Sequence, residues 1–167
     1  MIEPALREKA AQVLDLFRSH GLKIATAESC TGGLVAGALT EIAGSSDVVD
    51  RGFVTYSNEA KEAMLGVPSA TLVRHGAVSA ETATAMAAGA LKNSSADIVV
   101  AITGIAGPGG GSQEKPVGLV HFAGASRDGR SLARERRYGD VGRQSIRQQS
   151  VAEALDLLAA LALQAEA

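Results

Sequence analysis

The chain has 167 residues, of which 46% are hydrophobic and 20% are charged, and its formal net charge is −2. Domains usually contain about 100 to 200 residues, so we expect a single domain with its own hydrophobic core over residues 1–167. This composition excludes intrinsic disorder of the whole chain. The near-neutral charge and the 3% aromatic content argue against binding of nucleic acid or of an anionic membrane.

A single cysteine, Cys30, excludes an internal disulfide and a multi-cysteine metal site. No group of His, Cys, Asp and Glu has the spacing of a metal site, so we expect neither a metal nor a cofactor. The N-terminus does not resemble a signal peptide, and the apolar stretch from Leu157 to Leu163 is far short of the ~20 residues that cross a bilayer. We therefore expect a cytoplasmic protein.

Helical and strand patterns alternate in the first half of the chain. In chain order, the predicted elements are a helix from Pro4 to about Ser19, a strand from Leu22 to Ala27, an Ala/Leu-rich helix ending near Gly44, a strand from Val48 to Tyr56 and a helix from Glu59 to Leu65. We expect Arg51-Gly52 to interrupt the second strand. Gly66-Val67-Pro68 is expected to end the third helix.

The second half begins with an alanine-rich helix and continues with strands. Its predicted elements are a helix from Ser79 to about Leu91, strands from Asp97 to Thr103, Val117 to Ala123 and Ser131 to Tyr138, and a helix from Gln144 to Leu163. The run from Ile98 to Ile102 is apolar throughout, which is typical of a central strand buried on both faces. Asp128-Gly129 predicts a hairpin between the last two strands.

These elements predict an α/β fold: a three-layer α/β/α sandwich around a mixed, mostly parallel sheet. In open α/β sheets, ligands bind beyond the carboxyl ends of the strands. Three polar segments follow predicted strands, namely Glu28 to Gly33, Tyr56 to Lys61 and Thr103 to Lys115. We therefore expect these segments to form one site.

Ser29 lies at a strand-to-helix turn, where a hydroxyl can face a cleft and the next backbone N–H groups can face an oxyanion. The surrounding sequence does not match the G-x-S-x-G motif of α/β-hydrolases. A serine in this place is also typical of a helix cap. As a nucleophile it needs a base, and a desolvated lysine such as Lys61 can accept its proton.

Other residues near these turns have alternative interpretations. Cys30 is either a rival nucleophile near a helix N-terminus or a small buried side chain. The glycine-rich loop after Thr103 offers backbone amides to an anion or simply connects two strands, and it lacks the G-K-[ST] ending of a P-loop. Arg143 and Arg147 lie one helical turn apart, so they can clamp a phosphate or form a solvated basic face.

Four blocks of sequence together carry a resemblance to a known family. They are A-E-S-C-T-G-G at Ala27 to Gly33, T-Y-S-N-x-x-K at Thr55 to Lys61, G-A-V-S at Gly76 to Ser79, and T-G-I-A-G-P-G-G at Thr103 to Gly110 followed by K-P-V-G at Lys115 to Gly118. In this order and spacing they closely resemble the CinA C-terminal domain family, also called the PncC amidohydrolase family. The resemblance covers nearly the whole chain.

This resemblance implies an α/β/α sandwich that hydrolyses the carboxamide of nicotinamide mononucleotide to nicotinate mononucleotide and ammonia without a metal. By motif, Ser29 would be the nucleophile, Lys61 its general base and Tyr56 a third polar participant. The residues that would line the nucleotide pocket are Thr31, Gly32, Gly33, Thr103, Gly104, Ala106 and Gly107.

The resemblance also implies phosphate contacts from Arg143 and Arg147. The family pattern G-D-R-x-x-[IV]-R is interrupted here, because Val141-Gly142 resembles an insertion before Arg143.

Two other functions stay open: a non-catalytic nucleotide-binding or regulatory module, and an amidase for another small carboxamide. The expected partner is a nucleotide substrate, and the resemblance together with an alanine-rich, low-aromatic composition predicts a homo-oligomer.

Overall fold

The structure is a computed structural model, and it describes residues 2–165. Its helices are α1 Pro4–Ser19, α2 Leu34–Thr40, α3 Asn58–Leu65, α4 Ser69–His75, α5 Ala80–Lys92 and α6 Arg143–Gln164. Its strands are β1 Ile24–Glu28, β2 Val49–Val54, β3 Ile98–Gly104, β4 Leu119–Ser126 and β5 Ser131–Arg137. A 3₁₀ turn, Ser45–Asp47, precedes β2.

The five strands form one sheet in the order β2-β1-β3-β4-β5. β1 pairs in parallel with both β2 and β3, whereas β4 is antiparallel to β3 and to β5. Among the described strands, β4 alone is therefore antiparallel to the others. This agrees with the predicted mixed, mostly parallel sheet. The hairpin predicted at Asp128-Gly129 joins β4 to β5.

Helices cover the sheet on both faces and bury two apolar clusters. One cluster joins α1, α2 and α6 to one face of the sheet, with Phe17, Ile102 and Leu155 fully buried. The other joins α3, α4 and α5 to the opposite face, with Met86 and Val99 at its centre. This arrangement is the predicted three-layer sandwich. No helix within the described residues is long and apolar enough to span a membrane.

The second strand is continuous, so the expected interruption at Arg51-Gly52 is wrong. The pairing with β1 instead skips Asp50, which forms a bulge in the edge strand. A Cβ at Gly52 would lie 2.9 Å from Thr26 Oγ1 and 3.2 Å from Ala36 Cβ. The glycine is needed for close packing between strand and helix, so it does not mark a break.

One helix end differs from the sequence prediction, and one helix was not predicted. The second helix ends at Thr40, short of the expected Gly44. The sequence analysis also missed α4, which begins directly after Pro68. The break at Gly66-Val67-Pro68 ends one helix, and the proline then opens the next because its fixed φ suits a helix start.

Helix α5 supports α3 through a close contact at Gly89. A Cβ at this position would lie 1.9 Å from the carbonyl oxygen of Leu65, the last residue of α3. The backbones of the two helices can approach this closely only because residue 89 has no side chain.

We expect Gly89→Ala to destabilise the fold by roughly 1 to 3 kcal/mol, because its methyl group would push α3 away from α5. Urea unfolding measures the change. Gly37→Ala in α2 is the control, since a Cβ at Gly37 meets nothing within 4 Å and alanine is the better helix former. A stable Gly89→Ala variant would contradict the proposed contact.

Candidate active site

Three chain segments meet at one edge of the sheet. Because β1 lies between β2 and β3 and runs parallel to both, the carboxyl ends of all three strands lie together. Ser29 directly follows β1, Thr55 follows β2, and the loop at residues 105–118 follows β3. The parallel pairing therefore brings the predicted polar segments into one region.

Ser29 and Lys61 form a buried pair at this edge. The Lys61 Nζ donates hydrogen bonds to Ser29 Oγ at 3.0 Å and to the carbonyl oxygen of Thr55 at 2.9 Å. Ser29 is 8% exposed and Lys61 is 1% exposed. Lys61 is held by α3, whose first turn is capped by the Ser57 hydroxyl accepting from the Ala60 N–H.

Burial changes the acidity of this lysine. Removal of the ammonium from water lowers the pKa of Lys61, since desolvation disfavours the charged form. A neutral amine within hydrogen-bond distance of a serine hydroxyl can accept its proton. The pair thus has the geometry and the shifted pKa of a nucleophile with its general base.

The carboxylate of Glu28 stabilises the turn that carries Ser29. Glu28 is fully buried. Glu28 accepts hydrogen bonds from the Thr31 hydroxyl at 2.7 Å and from the N–H groups of Val35 and Ala36 at 2.8 and 3.1 Å. These N–H groups lie in the first turn of α2, where a negative charge is favoured. The carboxylate acts as the helix cap that the N-cap residue Gly33 cannot supply.

Arg147 holds the same turn from another side. Its Nε donates to the carbonyl oxygen of Cys30 at 3.1 Å, and its Nη2 donates to that of Thr31 at 3.2 Å. These contacts fix the Cys30–Thr31 and Thr31–Gly32 peptide units. Arg147 therefore helps to fix the turn that carries Ser29.

The structure bears on two alternatives that the sequence left open. Ser29 does not cap α2, whose N-cap residue is Gly33. Burial raises the pKa of the Cys30 thiol to about 12, so that the thiol keeps its proton at neutral pH. The structure thus favours a small buried side chain at Cys30 and not a thiolate nucleophile.

A cavity of about 260 Å³ opens beside Ser29. The predicted site residues in its lining are Ser29, Tyr56, Lys61, Thr103, Gly104, Ala106, Gly107 and Arg143. The Thr103 hydroxyl donates to the carbonyl oxygen of Ala77 at 2.6 Å, which ties the end of β3 to the segment before α5.

Arg143 and Tyr56 lie together at the mouth of the cavity. The guanidinium donates to the Tyr56 hydroxyl at 3.0 Å and to the carbonyl oxygen of Gly107 at 2.9 Å. Tyr56 is 63% exposed and makes no described hydrogen bond to Ser29 or Lys61. The insertion at Val141-Gly142 does not remove Arg143 from the site.

The other predicted pocket residues, Thr31, Gly32, Gly33 and Arg147, are absent from the lining of this cavity. Thr31 is fully buried and its hydroxyl is used by Glu28. The guanidinium of Arg147 would be 3.4 Å from a Cβ at Gly32, so it lies against the turn. The structure gives these residues a place in the turn, and substrate contact by any of them stays a prediction.

The cavity lining also contains residues that were not singled out from the sequence as individual site residues: Asn58, Ala77, Val78, Ile105, Gly109 and Gly110. All of them lie inside or directly beside the four recognised blocks, so the blocks themselves were a usable signal. Glu28 was missed too, although it belongs to the first block. Within residues 2–165, no group of three or more His, Cys, Asp and Glu side chains could hold a metal ion.

The CinA C-terminal domain model matches residues 6–162. The chain belongs to this family. A crystal structure of the competence/damage inducible protein CihA from Agrobacterium tumefaciens superimposes with a TM-score of 0.95. It is 59% identical in sequence, and the match covers 96% of this chain and 98% of that one. The fold predicted from the sequence is thereby confirmed.

Curated relatives differ in length. Nicotinamide-nucleotide amidohydrolase PncC of Escherichia coli K12 is 50% identical over 159 residues, which are 95% of each chain. The CinA-like protein of Synechococcus sp. RCC307 is 57% identical over 150 residues, 89% of this chain. The matched segment spans only 36% of the length of that second relative.

The lowered pKa of Lys61 predicts a pH-dependent stability. Between this pKa and the unfolded value of about 10.4, the unfolded chain binds more protons, so the free energy of unfolding contributed by Lys61 rises with pH. We expect Lys61→Met to lack this rise, as measured by urea unfolding across the alkaline range. Exposed Lys92→Met is the matched control, and equal pH profiles for the parent and Lys61→Met would contradict the assigned shift.

Proposed function

We propose that this protein hydrolyses the carboxamide of nicotinamide mononucleotide to nicotinate mononucleotide and ammonia, with Ser29 as nucleophile and Lys61 as general base. The observation that carries the proposal is the 3.0 Å contact between Lys61 Nζ and Ser29 Oγ in a buried cleft. The reaction as proposed uses no metal. The name of the 50% identical relative, nicotinamide-nucleotide amidohydrolase, supports the substrate.

In the first half of the proposed reaction, neutral Lys61 takes the proton of Ser29 as Oγ attacks the amide carbon. The amide C=O becomes a tetrahedral oxyanion, which a backbone N–H of the turn after Ser29 would stabilise. Lys61 then gives its proton to the amide nitrogen. The C–N bond breaks, and ammonia leaves behind an ester on Ser29.

In the second half, a water molecule replaces the departed ammonia. Lys61 takes a proton from this water as its oxygen attacks the ester carbon. Collapse of the second tetrahedral intermediate breaks the bond to Ser29 Oγ, which regains the proton from Lys61. One amide and one water thus give one carboxylic acid and one ammonia, and the enzyme returns to its starting state.

The mouth of the cavity suits the phosphate end of the substrate. Among residues 2–165, Arg143 donates to a phenol and to a carbonyl oxygen and to no carboxylate, so its positive charge can attract an anion. The cavity of about 260 Å³ is small and would hold the carboxamide ring near Ser29. The amides of the loop that contains Gly107 would contact the ribose and phosphate oxygens.

We expect Ser29→Ala to abolish formation of ammonia and nicotinate mononucleotide while leaving mononucleotide binding within a few-fold of the parent. Without Oγ the ester cannot form, and the lost hydroxyl contributes little to binding. Both products are measured after incubation of the purified chain with nicotinamide mononucleotide. Cys30→Ala, which removes the neighbouring thiol, should retain turnover.

Other outcomes would identify the competing functions. Binding without products in the parent would support a nucleotide-binding module. Equal rates on free nicotinamide and on the mononucleotide would contradict the phosphate contacts and favour an amidase for small carboxamides. Loss of activity in Cys30→Ala with an intact fold would restore the thiol as a candidate nucleophile.

We expect substitution of Arg143 and of Arg147 to change different kinetic constants. Arg143→Ala should raise KM for the mononucleotide about ten- to a hundredfold, because a hydrogen bond to a charged group contributes about 1.5 to 3 kcal/mol. Arg147→Ala should mainly lower kcat, because it releases the turn that positions Ser29. Exposed Arg74→Ala, on α4 outside the cavity, is the control, and equal effects of Arg143→Ala on mononucleotide and riboside would contradict the phosphate contact.

A further inference from the structure

A second cavity, which we call the α1–α6 cavity, lies on the other side of Arg143. It has a volume of about 440 Å³ and is thus larger than the cavity beside Ser29. Its walls come from the start of α1, the first residue of α2 and the first half of α6. The size is within the range of about 300 to 1,000 Å³ that is typical of small-molecule sites.

The walls of this cavity are mostly apolar, and its charged groups favour an anion. Leu6, Leu34 and Val151 supply apolar surface. Arg143 and Arg147 both reach the lining, and neither makes an ion pair with a carboxylate among the described residues. The lining contains these two arginines and one acidic side chain, the exposed Glu3. Its net charge is therefore positive.

Both arginines also hold parts of the catalytic site. Arg143 binds the Tyr56 hydroxyl and the Gly107 carbonyl, and Arg147 binds the carbonyls that follow Ser29. Their present acceptors are neutral. A phosphate or carboxylate forms stronger, bidentate hydrogen bonds with a guanidinium than a carbonyl does. An anion in the α1–α6 cavity would therefore compete for Arg147, which fixes the turn after Ser29, and for Arg143, which holds Tyr56 and the loop at Gly107.

We propose that the α1–α6 cavity binds a small amphipathic anion, an apolar or aromatic body carrying a phosphate or carboxylate, and that this binding lowers turnover by drawing Arg147 from the turn after Ser29 and Arg143 from Tyr56 and Gly107. The binding itself is independent of the proposed reaction, whereas the effect on turnover rests on it. The ligand acts from outside the cavity that contains Ser29, so displacement of Arg147 lowers kcat, while displacement of Arg143 raises KM in addition.

The probe is phenyl phosphate, which joins an aromatic ring to a dianion, with inorganic phosphate as the comparison that lacks the apolar body. Gln148→Glu adds a negative charge to the lining of the α1–α6 cavity, and Gln149→Glu adds the same charge one residue further on, outside that lining. Calorimetry measures binding. Amide resonances of Cys30 and Thr31 report movement of the turn without any need for turnover.

We expect phenyl phosphate to bind more tightly than inorganic phosphate and to shift both amide resonances. The Kd should rise at least tenfold in Gln148→Glu and stay unchanged in Gln149→Glu. Inhibition of mononucleotide hydrolysis should lower kcat and should disappear in Gln148→Glu. The calorimetric and resonance measurements need no reaction. An inactive protein would therefore overturn the proposed function, whereas binding to the α1–α6 cavity could still be measured.

Three results would overturn the proposal. Absence of binding would show that the cavity takes no such ligand. Equal affinity in the two glutamate variants would place the ligand elsewhere. Purely competitive inhibition that Gln148→Glu does not change would place phenyl phosphate in the cavity beside Ser29.

Discussion

The burial of the Lys61 amine next to Ser29 is the constraint on which the site depends. An ammonium that leaves water needs oxygen acceptors at fixed positions, and the Thr55 carbonyl and the Ser29 hydroxyl supply them. Both acceptors are tied to the sheet: the Thr55 N–H donates to the Glu28 carbonyl, and the Ser29 N–H donates to the Ile102 carbonyl. The pairing of three parallel strands therefore sets the distance between nucleophile and base.

Opposite charges on two sides stabilise the turn between the central strand and α2. Glu28 satisfies N–H groups at the start of the helix, and Arg147 satisfies carbonyl groups of the turn itself. Neither side chain lines the cavity beside Ser29. Two charged residues outside the lining of the cavity thus stabilise the backbone that carries Ser29.

Local patterns predicted much of this architecture. The buried central strand, the Asp128-Gly129 hairpin and the meeting of Ser29 with Lys61 follow from apolar runs, turn chemistry and parallel strand ends. The different roles of Arg143 and Arg147 could not be predicted, since the two lie one turn apart on one helix. Their distinction depends on acceptors that are brought near by tertiary packing.

The inert state of the only cysteine has a practical consequence. Reagents that label thiols require a thiolate at an accessible position, and Cys30 is buried with its proton retained. We therefore expect the chain to react with such reagents as a cysteine-free background does. A cysteine introduced at exposed Ser112, in the glycine-rich loop, would be the one reactive site for a fluorophore or spin label, and would allow the motion of that loop to be followed in the otherwise native protein.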